Sequence, residues 1–66
     1  MRVTANGDAL DLPDGATVTD LLDSLGLAER WVVVERNGEA VPRAAMGGTV
    51  LADGDRLELV RAVAGG

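Results

Sequence analysis

The residues best placed to do chemistry in this chain are its last ones, Arg61-Ala62-Val63-Ala64-Gly65-Gly66. A strand-like segment runs into two glycines, so the Gly66 carboxylate follows a stretch with no side chain. Such a tail can enter a channel too narrow for other residue types and accepts backbone angles of either sign. Six extended residues span roughly 20 Å. We therefore predict that Gly66 reacts in the active site of a partner and that Gly65, Ala64 and Val63 form the tail. The alternative is a frayed end, because chain termini are commonly disordered.

The rest of the composition excludes most other chemistry. The chain has no cysteine and no histidine, and Ser24 is its only serine. Nucleophilic triads and imidazole acid–base catalysis are therefore excluded, and a zinc site is not expected. We predict no catalytic residue and no metal ligand, so the protein would be acted on by enzymes rather than be one.

The charge balance indicates which partners suit this protein. Eleven acidic residues against six arginines give a net charge of −5 and a pI near 4.3. This balance opposes nucleic-acid binding and favours partners with a basic docking surface. No apolar run is long enough for a membrane span, and the first residues read as a strand rather than as a signal peptide. The expected location is the cytoplasm.

The first half of the chain predicts a β-hairpin followed by a helix. Residues 1–12 alternate apolar and polar around Asn6-Gly7, the strongest short hairpin signal. Thr17 is the predicted N-cap of a helix of two to three turns, and Gly26 the predicted C-cap residue. One apolar stripe should face the core: Val18, Leu21, Leu22 and Leu25.

The second half predicts three strands. Trp31–Arg36 is β-branched and reads as an interior strand, and Asn37-Gly38 turns it into a short edge strand over 39–41. Arg43–Met46 predicts a helical turn that Gly47-Gly48 ends. The last strand is predicted over 56–64, in the centre of the sheet and parallel to the first.

This order of elements predicts an α+β protein with the β-grasp fold, in which one helix packs across one face of a mixed sheet of four to five strands. The whole of residues 1–66 would form a single domain with a flexible C-terminal tail from about residue 62.

Strand alternation then predicts what lies on each face of the sheet. The helix should cover one apolar set: Val3, Leu10, Leu12, Val32, Val34, Leu57 and Leu59. The opposite face should carry a second set, which we predict to be the docking surface for a partner: Trp31, Val33, Glu35, Glu58, Val60 and Ala62. The alternative is that the two valines only satisfy strand propensity and that Trp31 folds over the helix end.

Three motifs in this order resemble the ThiS-type sulfur carriers of thiamine biosynthesis, which are ubiquitin-like β-grasp proteins. The motifs are Glu35-Arg36-Asn37-Gly38-Glu39-Ala40-Val41-Pro42-Arg43, then Asp53-Gly54-Asp55-Arg56-Leu57-Glu58-Leu59-Val60, and the ending Ala62-Val63-Ala64-Gly65-Gly66. Each motif alone is weak, but together, in this order and in a chain of this length, they are specific, and the similarity extends over the whole chain.

The resemblance implies a two-step reaction carried out by partner enzymes. An E1-like adenylyltransferase would use ATP and Mg²⁺ to convert the Gly66 carboxylate into an acyl adenylate, and this chain would bind no cofactor itself. A persulfide from a donor such as cysteine desulfurase would replace AMP, leaving a thiocarboxylate that thiazole synthase consumes. Because the chain has no cysteine, any sulfur it carries must sit on the terminus. Three alternatives remain open: the small subunit of molybdopterin synthase, a carrier for cysteine synthesis, and a β-grasp binding module or protein tag without sulfur.

Overall fold

A computed structural model describes residues 1–61 of the chain. Five strands and one α-helix occur in this order: β1 (Arg2–Ala5), β2 (Asp8–Asp11), α1 (Val18–Ser24), β3 (Val32–Arg36), β4 (Glu39–Val41) and β5 (Arg56–Arg61). Two short 3-10 helices lie between these elements. The helix Glu29–Trp31 connects α1 to β3, and the helix Arg43–Gly48 lies between β4 and β5.

The two predicted Asn-Gly turns are present and share one geometry. Asn6 and Asn37 have φ values of 50° and 52°, and Gly7 and Gly38 both have φ of 87°. Positive φ at both central residues is the type I′ arrangement, whose twist matches that of the flanking strands. Each turn therefore closes an antiparallel hairpin, β1 with β2 and β3 with β4.

Helix α1 begins at the predicted cap. The Thr17 side chain accepts a hydrogen bond from the Asp20 backbone N–H, and the Asp20 carboxylate accepts one from the Thr17 N–H. This reciprocal capping box satisfies two backbone donors that a helix start leaves free. The predicted stripe is buried at Val18, Leu21 and Leu22. The prediction for Leu25 was wrong, since this residue is the C-cap and its exposure is 38%.

The sheet confirms the predicted β-grasp fold. Its strand order is β2-β1-β5-β3-β4, with β5 in the centre, parallel to β1 and antiparallel to β3. Because two hairpins flank β5, one from each half of the chain, the last strand joins them into one sheet. No helix among residues 1–61 is both long and apolar enough to cross a membrane.

The core lies between α1 and one face of the sheet, as predicted. Leu21, Leu22, Val34 and Leu57 are fully buried there, while Leu10 and Leu59 are partly buried against the same cluster. Met46 also belongs to this core with 1% exposure, which the sequence did not indicate. The 3-10 helix that carries Met46 continues through Gly48, so the prediction that Gly47-Gly48 ends it was wrong.

Candidate functional site

The exposed face of the sheet is centred on a pair of valines. Val33 on β3 lies directly opposite Val60 on β5, and their exposures are 53% and 62%. Val32 and Val34, on either side of Val33, are buried, and Leu59, which precedes Val60, is partly buried against the core. Alternation therefore separates the two faces as predicted. The pair is thus an apolar area on the side of the sheet that the helix leaves uncovered.

Two acidic residues continue this exposed area along the same strands. Glu35 lies opposite Glu58, and both are exposed. Like charges directly opposite each other destabilise an antiparallel pair. This cost to folding is partly removed when a cation approaches the pair, so the local electrostatics favour a basic partner surface.

Trp31 is exposed but does not belong to a strand. It ends the 3-10 helix Glu29–Trp31, and β3 begins one residue later at Val32. The prediction that Trp31 starts the strand was therefore wrong, and strand alternation does not set its orientation. The Arg30 guanidinium lies 5.3 Å from the centre of the indole ring, within range of a cation–π contact. With 45% exposure, the ring remains open to a partner.

A buried carboxylate holds the start of β5. Asp55 is 6% exposed and accepts hydrogen bonds from Arg36 Nε at 2.8 Å, Asn37 Nδ2 at 3.0 Å and the Ala52 N–H at 2.8 Å. Burial by itself raises the pKa of Asp55, but these donors outweigh burial and hold the pKa of the carboxyl below its usual range. The Asn37 Oδ1 also accepts a hydrogen bond from the Arg56 N–H at 2.9 Å. This network ties the first residue of β5 to the turn between β3 and β4.

A second asparagine holds the other end of β5. The Asn6 Oδ1 accepts a hydrogen bond from the Leu59 N–H at 2.7 Å, and its Nδ2 donates to the Leu59 carbonyl at 3.0 Å. A groove of about 350 Å³ lies beside this contact, with Asn6, Leu25, Leu59 and Arg61 among its lining residues. The exposed Leu25 side chain thus contributes to the surface next to the point where β5 ends.

The structure brings together four of the predicted docking residues and leaves others undetermined. Val33, Glu35, Glu58 and Val60 share one exposed face, and Trp31 lies just before that face begins. Ala62 and the predicted tail, Val63, Ala64, Gly65 and Gly66, lie outside the described residues. Among residues 1–61 no cluster of three or more side chains suited to metal binding is present.

Sequence reasoning missed the three polar residues that fasten β5. Asp55 was quoted only within one motif of the resemblance, and no contact with β5 was predicted for Asn6 or Asn37. The spacing of Asn6 and Leu59 along the chain gives no signal, because the strand register that brings them together is set by the whole sheet. Two aspartates, Asp53 and Asp55, follow Asn37 along the chain, but the sequence alone does not show which of them its side chain contacts.

Comparison with known proteins agrees with this geometry. The model of the ThiS family matches residues 1–66. The chain belongs to the ThiS family. The sulfur carrier protein ThiS of Escherichia coli is 30% identical over 66 residues, which cover 100% of both chains.

Other relatives of this ThiS-family chain extend the comparison. The thiazole synthase of Paramagnetospirillum magneticum is 39% identical over 66 residues, and these span 100% of this chain but only 20% of that protein. The crystal structure of the thiamine biosynthesis protein ThiS from Geobacter metallireducens has a TM-score of 0.83 at 36% identity and covers 100% of both chains. SAMP1 from Haloferax volcanii has a TM-score of 0.65 at 28% identity, covering 98% of this chain and 97% of SAMP1.

Proposed function

We propose that this chain is a sulfur carrier whose Gly66 carboxylate is converted to a thiocarboxylate for thiazole formation in thiamine biosynthesis. The observation that carries the proposal is the match to the ThiS family over residues 1–66, which includes the two glycines. The absence of cysteine supports the terminus as the place of the sulfur, since the chain has no thiol of its own. In this role the chain is a co-substrate of partner enzymes rather than an enzyme.

The proposed chemistry starts with activation, because a carboxylate resists attack by nucleophiles. In an E1-like adenylyltransferase, an oxygen of the Gly66 carboxylate attacks the α-phosphorus of Mg²⁺-bound ATP and pyrophosphate leaves. The outer sulfur of a persulfide on the donor protein, for example one charged by a cysteine desulfurase, then attacks the acyl carbon and displaces AMP. A second thiol of the partner reduces the resulting acyl disulfide, so that a partner disulfide forms and the thiocarboxylate remains on Gly66.

The exposed face of the sheet is the proposed docking surface for the activating enzyme. Val33 and Val60 form its apolar centre, with Glu35 and Glu58 beside them and Trp31 at the start of the face. Apolar area next to acidic side chains suits a partner that offers both a hydrophobic contact and arginine or lysine. Ala62, which follows the described residues, is the remaining member of the proposed docking surface.

Thiazole synthase is the proposed consumer of the thiocarboxylate. The relative that bears this name contains a segment 39% identical to this chain, although the segment makes up only 20% of that protein. A carrier-like segment within such a protein supports a functional link between the two. The same observation favours the thiazole pathway over the molybdopterin and cysteine alternatives.

Mass spectrometry of the reacted protein tests this proposal. The purified chain is incubated with the E1-like enzyme, ATP, Mg²⁺ and a persulfide donor. We expect a mass increase equal to the exchange of one oxygen for sulfur, located in the C-terminal peptide. A chain lacking Gly65 and Gly66 serves as the matched control.

The control separates the tail from the body. The described core is formed by residues between Met1 and Leu59, so removal of Gly65 and Gly66 should leave the melting temperature unchanged while sulfur incorporation and ATP–pyrophosphate exchange disappear. Undiminished exchange by the shortened chain would rule out Gly66 as the reacting residue. A sulfur atom found elsewhere than the C-terminal peptide would exclude the proposed chemistry altogether.

A further inference from the structure

Strand β5 continues well past the end of its neighbour β1. The parallel register pairs Thr4 with Arg56 and Ala5 with Leu57, and β1 ends at Ala5. On its other side, β5 remains paired with β3 as far as Arg61, which lies opposite Val32. The last residues of β5 therefore have a strand on one side only.

The Asn6 side chain occupies the place that the next residue of β1 would take. The Thr4 N–H donates to the Asp55 carbonyl and the Asn6 N–H donates to the Leu57 carbonyl, so alternate residues of β5 face β1. Leu59 is the next residue of this series, and its N–H and C=O are both bonded to the Asn6 amide. A primary amide offers one acceptor and donor N–H groups in one plane, as a peptide unit does. Asn6 thus extends the two-sided support of β5 by two residues after the main chain of β1 has turned away.

We propose that Asn6 is a positioning residue for the reacting tail and that its amide sets where β5 is released toward the partner's active site. This inference rests on the proposed function, because it concerns how the Gly66 carboxylate is delivered. With Asn6 in place, Leu59 is the last residue of β5 held on both sides. Without the amide, that residue becomes Leu57, and the segment with one-sided support begins two residues earlier.

A longer loosely held segment makes the reaction slower rather than binding weaker. The exposed face that docks the body is formed by β3 and β5 residues whose mutual pairing does not involve Asn6. The carboxylate, however, must be brought to one point, and each backbone unit that is freed must be ordered again before reaction. The two residues that lose the support of Asn6 remain paired with β3, so together they regain about one residue's worth of backbone freedom. Ordering that much backbone again corresponds to roughly a tenfold fall in rate.

Asn37 offers a matched control at the opposite end of the same strand. It occupies the equivalent position in the second Asn-Gly turn, with φ of 52° against 50° for Asn6. Its side chain also makes two hydrogen bonds, to the Arg56 N–H and to the Asp55 carboxylate. Substitution by glycine removes either amide while keeping the positive φ that the turn requires.

The experiment measures ATP–pyrophosphate exchange with the E1-like enzyme for the wild type, Asn6→Gly and Asn37→Gly, below the melting temperature of all three. For Asn6→Gly we expect kcat to fall about tenfold and KM for the carrier to stay within about twofold. Asn37→Gly should keep kcat near the wild-type value although it destabilises the fold at least as much. Asn6→Asp keeps the acceptor for the Leu59 N–H but loses the donor, so its kcat should lie between those of the wild type and Asn6→Gly.

Amide hydrogen exchange gives a readout that does not depend on the partner enzyme. By the register, the Val60 N–H faces β3, so it makes no bond to Asn6. We expect its exchange to be faster in Asn6→Gly than in Asn37→Gly, since the end of β5 opens more often. Equal hydrogen-exchange rates of the Val60 amide in the two glycine variants would contradict the inference, even if the wild type showed no activity with the partner.

The kinetic outcomes separate the two proposals. If the wild type shows no ATP–pyrophosphate exchange, the proposed function is contradicted. The hydrogen exchange of the Val60 amide then tests the role of Asn6 by itself. An active wild type with equal losses of kcat in both glycine variants would reduce Asn6 to a structural residue. A rise in KM at constant kcat would place Asn6 in docking and overturn its role in positioning.

Discussion

Replacement of Val60 by aspartate tests whether the exposed face of the sheet is the docking surface. Val60 is 62% exposed, lies one residue before Arg61 in β5 and is opposite Val33, which is also largely exposed. The substitution puts a charge into the apolar centre of this face without touching the residues that α1 covers. The fold should therefore tolerate it, while a partner that buries Val60 should not.

The cost to folding is small because little of Val60 is buried. Full burial of a valine side chain contributes about 1.5–3 kcal/mol, and loss of the roughly two-fifths that is covered costs about 0.5–1 kcal/mol. The new carboxylate is two residues from Glu58 along β5 and diagonally across from Glu35, about 7–8 Å away, where each repulsion in water is about 0.5–0.6 kcal/mol before screening by salt. We expect a total loss of about 1–2 kcal/mol, measured by urea unfolding.

We expect Val60→Asp to weaken binding to the partner more than its small effect on folding stability would suggest. A moderate hot spot at the centre of an interface contributes about 1–3 kcal/mol, which weakens binding by roughly 5- to 150-fold. The assay is isothermal titration calorimetry of the carrier with the E1-like enzyme. Val50→Asp is the control, because Val50 is similarly exposed at 54% but lies in the loop that bridges to Thr17 at the start of α1.

Two results would refute this reasoning. Unfolding of Val60→Asp would mean that the face is buried and that the strand register is shifted by one residue. Equal affinities of the Val60→Asp and Val50→Asp variants would show that the face does not contact the enzyme. In that case the tail or the acidic residues must supply the binding energy.

Two further predictions concern the tail and the buried carboxylate. Gly65→Val places a β-branched side chain one residue from the reacting carbon, so adenylation should fall steeply while the melting temperature stays constant; near-normal turnover would show that the partner's channel is wide. Asp55→Asn should cost about 1–3 kcal/mol at pH 7, because it removes the charge that Arg36 and the Ala52 N–H contact. Since the folded-state pKa of Asp55 is depressed, its stabilisation is complete above the unfolded value of about 3.9 and is lost as pH falls through the folded value. Urea unfolding of both proteins between neutral and acidic pH should show the wild type losing stability more steeply below about pH 4, and parallel curves would contradict this assignment.

The hairpins, the helix and the faces of the sheet could be predicted because each depends on residues close in sequence. Positive φ at Asn6-Gly7 and Asn37-Gly38 determines the two turns, and the Thr17 capping box determines where α1 begins. Alternation then placed Val33 and Val60 on one face, as the structure confirms. Leu25 was wrongly assigned to the core because helical periodicity continues past the residue at which the helix ends.

The sequence by itself determined the local elements, the absence of a thiol, and the two glycines that carry the proposed chemistry. Only the tertiary structure decided how β5 is fastened, because its contacts join residues up to 53 positions apart. The register that brings the Asn6 amide to Leu59, and the Asp55 carboxylate to Arg36, results from packing the whole sheet against α1. Local propensity carries no information about such pairs, since the same asparagine satisfies its turn whether or not a distant strand lies beside it.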